Sequence, residues 1–80
     1  MKLLDRLPDE KARAYAIRVL LYNITALELS PGSAVSENEL SAVMNLSRTP
    51  VREALIELSR MDLVEILPQR GSYISKIDYG

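Results

Sequence analysis

Eighty residues without cysteine or histidine, at a formal net charge of −1, make one small domain near the lower end of what folds unaided. That composition excludes disulfides, thiolate metal sites and the usual acid/base switch residue, and a chain hiding only about 60 to 70% of its unfolded surface has no room for a deep substrate cavity. It also excludes a polycation that coats nucleic acid, while leaving open a local basic patch on a neutral body.

The opening MKLLDRLPDE carries Asp5 and Pro8 too early for the apolar core of a signal peptide. The stretch Ala12 to Leu29 is interrupted by Arg13, Arg18 and Glu28, so it is not the run of about 20 apolar residues that spans a membrane. A soluble, cytoplasmic protein without a membrane partner is expected. Ala14, Ile17, Leu20, Leu21, Ile24 and Leu27 recur at three- and four-residue steps, which predicts a first helix from Pro8 or Asp9 to Glu28 with one apolar stripe. Tyr15 and Tyr22 are read as packing residues on that helix rather than ligand platforms. Leu3, Leu4 and Leu7 extend an apolar face that either meets a partner or covers the base of the core.

Ser30-Pro31-Gly32-Ser33 then breaks the chain. Ser36 and Glu39 have capping-box spacing and Val35 and Leu40 occupy staple positions, so a second helix spans about 36–44. Asn45 ends it, because asparagine tolerates the left-handed conformation that closes a helix. Ser47 is the natural N-cap of a third helix, about 47–60, its hydroxyl placed to accept a first-turn N–H and Leu46 and Val51 again in staple positions. Pro50 costs that helix little, since its missing N–H would have had no intrahelical partner.

At 100° per residue, Val51, Ala54, Leu55 and Leu58 share one face, Arg48, Thr49, Arg52 and Ile56 one flank, and Glu53 and Glu57 the other. The N-terminal corner then carries two guanidiniums, two hydroxyls and free helix N–H groups, which suits an anion. Helix, tight turn and a second helix with a basic start is the layout of a helix-turn-helix. Arginine can pair with guanine O6 and N7 or grip a phosphate. The plain alternative makes Arg48 and Arg52 solvated charges paired with Glu39, Glu53 or Glu57.

Leu63 to Leu67 and Ser72 to Ile77 read as strands joined by Pro68-Gln69-Arg70-Gly71, a hairpin wing over about 63–77, to which Ala34 and Val35 can add a short third strand. Gly71 supplies backbone freedom and close approach at the loop, and Arg70 one more cation. The fold expected over residues 1–80 is mainly α with a small β-hairpin, a winged helix-turn-helix.

These segments together resemble the DNA-binding domain of GntR-family bacterial transcription regulators from Leu29 through Ile77. The resemblance rests on Ser30-Pro31-Gly32, on Val35 to Leu40, on Ser47-Arg-Thr-Pro-Val-Arg-Glu-Ala-Leu55 and on Pro68 to Gly71. The nine-residue stretch is similar to the FadR-like branch, whose members carry a helical effector-binding domain after the winged module; that domain is expected to lie beyond this chain. The resemblance implies DNA contact at Asn38, Ser47, Arg48, Thr49, Arg52, Arg70 and Gly71, with Pro50 shaping the same surface. It implies a pseudo-palindromic double-stranded operator, a homodimer in the full-length protein, and no cofactor in this chain, an effector or metal belonging to the other domain. Asn38, Asn45 and Asp62 depart from the family pattern, where arginine occurs in some members, glycine is usual and glycine is common. Two other readings are a winged helix that binds only proteins, and a small hydrolase or transferase. For the latter, nothing beyond scattered serines, threonines and carboxylates is available.

Overall fold

Each element buries one face against the others, in the order α1 (Ala12–Thr25), β1 (Ala34–Val35), α2 (Glu37–Met44), α3 (Arg48–Arg60), β2 (Val64–Leu67) and β3 (Gly71–Ile74). This is the arrangement in a computed structural model that describes residues 3–26, 28–67 and 71–75. The strands form one antiparallel sheet in the order β1-β3-β2, with Val64 opposite Ile74, Ile66 opposite Ser72 and Val35 also opposite Ser72. Three helices with a hairpin wing and a short extra strand are the winged helix-turn-helix expected. The outer parts of the expected wing, Pro68 to Arg70 and residues 76–77, lie outside the described residues.

The core joins Tyr15, Ala16, Val19 and Leu20 of α1 to Leu40 and Met44 of α2, Val51, Ala54, Leu55 and Leu58 of α3, and the cross-strand pair Val64 and Ile74. On α3 the buried face is the one expected. On α1 the stripe is rotated from expectation: Ala14 is exposed, Ile17, Leu21 and Ile24 only flank the core, and Leu27 lies outside the described residues. The centre of the buried strip holds Ala16, fully buried, whose small side chain suits the close packing of α1 on α3. It also holds Asn23, a buried polar residue that a count of apolar positions passes over. Tyr15 packs as expected, at 7% exposure, whereas Tyr22 faces outward at 38%.

Asn23 also explains why α1 ends at Thr25 instead of Glu28. Its Nδ2 donates to the Val19 carbonyl at 2.7 Å, and its own carbonyl accepts from the N–H groups of Glu28 and Leu29, drawing the chain back. At the other end α1 starts at Ala12 rather than Pro8 or Asp9, because residues 7–10 close a turn of their own. There the Glu10 N–H donates to the Leu7 carbonyl at 3.1 Å, and the Leu7 N–H to Glu10 Oε1 at 3.2 Å. Arg18 latches this arm: it donates to both Glu10 oxygens at 2.8 Å and to the Asp5 carbonyl at 2.6 Å. Tyr15 Oη adds a bond to the Leu4 carbonyl at 2.6 Å. Leu4 therefore packs on the core, while Leu3 and Leu7 remain exposed.

Turn chemistry sets the remaining joints. In Ser30-Pro31-Gly32-Ser33 the Ser33 N–H returns to the Ser30 carbonyl with Gly32 at φ 81°, the value a type II turn needs at its third residue. Asn45 takes the left-handed conformation (φ 56°, ψ 46°) expected of it, and the Leu46 and Asn45 N–H groups close α2 on the Ser41 and Ala42 carbonyls. Asp62 does the same at the end of α3 with φ 62°, its N–H and that of Leu63 returning to Ser59 and Leu58. An aspartate tolerates this conformation, so the entry into the wing survives the lack of a glycine.

Two outcomes follow from these joints. Asn45→Val should lower stability to urea by about 1 to 2 kcal/mol, because a β-branched residue resists a positive φ, whereas Asn45→Gly should not lower it. The hydrogen bonds from Arg18 hold the Glu10 carboxyl at about 2, down from 4.5. A depressed carboxylate stabilises above its unfolded value and stops doing so as pH falls through its folded value, so the latch weakens between about pH 4.5 and 2. Glu10→Gln should therefore melt below the wild type at pH 6, and the two melting temperatures should converge near pH 2.

Candidate nucleic-acid interface

α2 reaches α3 through Asn45, Leu46 and Ser47 alone, so the first turn of α3 stands beside the first turn of α2. Ser36 caps α2, its Oγ accepting from the Glu39 N–H at 3.4 Å. Ser47 occupies the N-cap of α3 with extended backbone (φ −72°, ψ 167°), but its hydroxyl makes no capping hydrogen bond. This corrects the expected cap, and Pro50 supplies the reason: the third helical position, whose N–H a capping serine commonly takes, has no N–H. The Ser47 hydroxyl is left at the surface.

The exposed flank of α3 carries Arg48, Thr49 and Arg52, with Pro50 half-buried among them and Ile56 one turn further on. The structure brings Asn38 to this cluster, Arg48 Nη1 donating to Asn38 Oδ1 at 3.4 Å. Arg52 does not pair with Glu39, Glu53 or Glu57. It donates from Nε to Glu37 Oε1 at 2.8 Å and from Nη2 to Oε2 at 3.4 Å, and this contact raises its pKa further. Glu57 instead ties α3 to α1 through Arg13 at 3.3 Å, and also meets Arg60 at 3.4 Å. Glu37 is the site residue that sequence reasoning missed. It opens α2, and only the fold of the short Asn45 turn brings it level with Arg52, fifteen residues on.

The geometry of this ion pair matters chemically. A guanidinium has five N–H groups. Glu37 takes the edge formed by Nε and one Nη2 hydrogen, which leaves Nη1 and the outer Nη2 hydrogen as a second, outward fork. Arg52, whose side chain is 65% exposed, is thus held in orientation by one carboxylate while keeping two parallel donors for an acceptor pair.

On the wing side, Gly71 begins β3 with φ 93°, and among the described residues a Cβ placed there would meet nothing within 4 Å. Its need for glycine is conformational, and among the described residues no part of the chain approaches it closely enough to demand a missing side chain. Arg70 lies outside the described residues. Between wing and α3 an open cleft of about 400 Å³ is walled by Arg52 and Ile56 on one side and Ile66, Leu67 and Gly71 on the other. Among the described residues no group of acidic or other ligating side chains is arranged to hold a metal ion, and no helix is long and apolar enough to cross a membrane.

A winged helix-turn-helix with a basic, exposed first turn on its third helix defines a class of regulator. A family model described as bacterial regulatory proteins, gntR family, matches residues 12–74, and the chain belongs to that family. It is 43% identical over 70 residues to the HTH-type transcriptional repressor RspR of Escherichia coli K12, covering 88% of this chain and 31% of that protein. It is 54% identical over 55 residues to an HTH-type transcriptional regulator in an unstable DNA locus of Streptomyces ambofaciens, covering 69% of this chain and 23% of that one. The chain thus spans a third or less of the curated relatives it matches. Among solved structures, a GntR family member from Pseudomonas syringae pv. tomato superposes with a TM-score of 0.77 at 29% identity, over 91% of this chain and 31% of that one. The DNA-binding domain of AraR in complex with operator ORX1 has the same fold, with a TM-score of 0.77 at 20% identity, over 94% of this chain and 96% of that one.

If Glu37 orients Arg52 as described, Glu37→Gln should leave the fold intact but loosen the guanidinium. The Arg52 Nε–H proton resonance should shift and exchange faster with water, while the Arg18 Nε–H, held by Glu10, stays unchanged.

Proposed function

We propose that this chain is the sequence-specific, double-stranded-DNA-binding module of a cytoplasmic bacterial transcription regulator, with α3 in the major groove and the wing at the adjacent minor groove. The observation that carries the reading is the division of α3. Val51, Ala54, Leu55 and Leu58 are sealed in the core at 2% exposure or less, and Arg48, Thr49 and Arg52 stand on the exposed flank beside Ser47, whose hydroxyl makes no capping bond. Family membership and the operator complex of a protein of the same fold support it.

In this reading the outward fork of Arg52 and the guanidinium of Arg48 read bases or anchor phosphate. Ser47 and Thr49 hold backbone phosphate, and Asn38 contributes through Arg48 or directly. Pro50 shapes the same surface, and Gly71 with Arg70 approaches the minor groove. The complete regulator is a homodimer on a pseudo-palindromic operator, of the FadR-like branch, acting as a repressor through a separate effector-binding domain. Its effector or any metal binds that other domain, and this module works as a binder with no enzymatic step. The Ser47 to Leu55 stretch and the name of the RspR relative support that fuller description.

Fluorescence anisotropy with duplexes enriched from a random pool, at several salt concentrations, tests the reading. Wild-type affinity should fall with salt by about 0.9 log units per log unit for each phosphate neutralised. Arg52→Ala should cost about 1 to 3 kcal/mol on the enriched duplex and relax one base position. Arg52→Lys should do nearly as badly, because an ammonium cannot hold Glu37 and a base pair edge with two planar forks. A wild type that enriches no sequence and binds without salt dependence would favour a winged helix that docks on protein.

A further inference from the structure

Two bridges tie the start of α2 to the start of α3, and they differ in kind. Glu37 holds Arg52 as an ion pair at 2.8 Å, whereas its neighbour Asn38 meets Arg48 through a neutral amide, Arg48 Nη1 donating to Asn38 Oδ1 at 3.4 Å. No structural task accounts for an asparagine at position 38. Asparagine favours helix starts by capping backbone N–H groups, but here Ser36 is the cap and takes the Glu39 N–H. Within a helix it is a poorer former than alanine or glutamate. Its side chain is also exposed and takes no part in the core. Among the described residues its Nδ2 makes no hydrogen bond.

We propose that Asn38 reads an adenine in the major groove, directly beside a guanine read by Arg48. The inference rests on the proposed DNA-binding function and deepens it by naming the bases. An arginine only donates, so the bond to Arg48 fixes which way the amide faces, Oδ1 toward the guanidinium and Nδ2 away from it. A carbonyl oxygen has two lone pairs, and Arg48 uses one. The edge left on Asn38 is therefore one acceptor beside one donor. Adenine alone presents the complement, its N6 amino donor next to its N7 acceptor. Guanine sets two acceptors there, so that O6 would face Oδ1 with no proton between them, and neither pyrimidine offers a donor and an acceptor together. Arg48 in turn meets no carboxylate among the described residues and gives Asn38 only an Nη1 hydrogen. Its Nε and Nη2 edge is left whole as the two-donor fork that guanine O6 and N7 accept. The spacing agrees: Nη1 and Oδ1 lie 3.4 Å apart, and successive bases of one strand rise by about 3.4 Å. The two contacts also reinforce each other, since an amide whose oxygen accepts from a cation is a better N–H donor.

The test selects duplexes from a random pool with the 80-residue chain and with its variants Asn38→Ala and Asn38→Asp, then measures affinities by anisotropy. Position 38 is exposed, so melting temperatures should stay close to the wild type. The wild type should enrich a half-site with adenine next to guanine. Asn38→Ala should bind that duplex about tenfold more weakly, as for one lost bidentate pair, while keeping the guanine and accepting any base in place of the adenine. Asn38→Asp, whose carboxylate only accepts, should move the preference there to cytosine, whose N4 donates. Replacing the adenine by 7-deazaadenine removes N7 alone; it should weaken the wild type severalfold and leave Asn38→Ala unchanged. The slope of affinity against salt should be the same for wild type and Asn38→Ala, because no charge is lost. A wild-type site without adenine beside guanine would overturn the assignment and leave the DNA-binding function standing. So would an Asn38→Ala that binds every duplex as the wild type does. An equal loss on all duplexes would likewise overturn it by making Asn38 a phosphate contact, and loss of the guanine preference by making it only a support for Arg48. A wild type that enriches no sequence would overturn both.

Discussion

One helix is asked to be core and interface at once, and the burial of α3 governs everything else. Val51, Ala54 and Leu58 have no exposed surface and Leu55 has 2%, so the rotation of α3 about its axis is fixed by packing. Rotating it by one residue would put a charge into the core, at a cost far above the stability margin of a domain this size. Because rotation is fixed, the direction in which Arg48, Thr49 and Arg52 leave the protein is fixed too. Positioning of the candidate site is therefore a by-product of folding.

The other elements supply what α3 alone lacks. α1 backs it along Ala16, Val19 and Leu20, and Glu57 reaches Arg13 across that contact. α2 contributes Leu40 and Met44 to the core and, from its first turn, Glu37 and Asn38 to the arginines. The left-handed Asn45 makes the corner tight enough for those two first turns to meet. The sheet closes the far side and extends beyond the core as the wing, which creates the apolar cleft beside Arg52. Net charge near zero is no obstacle to this design, because Glu37 pairs with one edge of the Arg52 guanidinium and leaves its outer fork facing out.

Much of this was legible in the sequence where local chemistry decides. The Ser36 cap, the left-handed Asn45, the Gly32 turn and the buried face of α3 depend on residues a few positions apart, and they appear where spacing predicts them. What depends on distant residues did not show. The rotation of α1 is set by contact with α3 and by a buried Asn23 that apolar periodicity does not count. Its start is set by the Glu10 and Arg18 latch, which holds residues 7–10 out of the helix. The Ser47 cap failed for a local reason that was in view, since Pro50 removes the N–H it would have bound. Within the candidate site the arginines were legible from their helical spacing. Glu37 was not, because fifteen residues and a turn separate it from Arg52.

The most direct measurement is a titration of the isotope-labelled chain with an enriched duplex, following every backbone amide and arginine Nε–H by NMR. The account predicts that the largest shifts fall on Ser47 to Arg52, on Glu37 and Asn38, and on Gly71, with the Arg52 Nε–H still protected by Glu37. Shifts concentrated instead on the Leu3, Leu7 and Tyr22 surface, with the first turn of α3 unmoved, would contradict it.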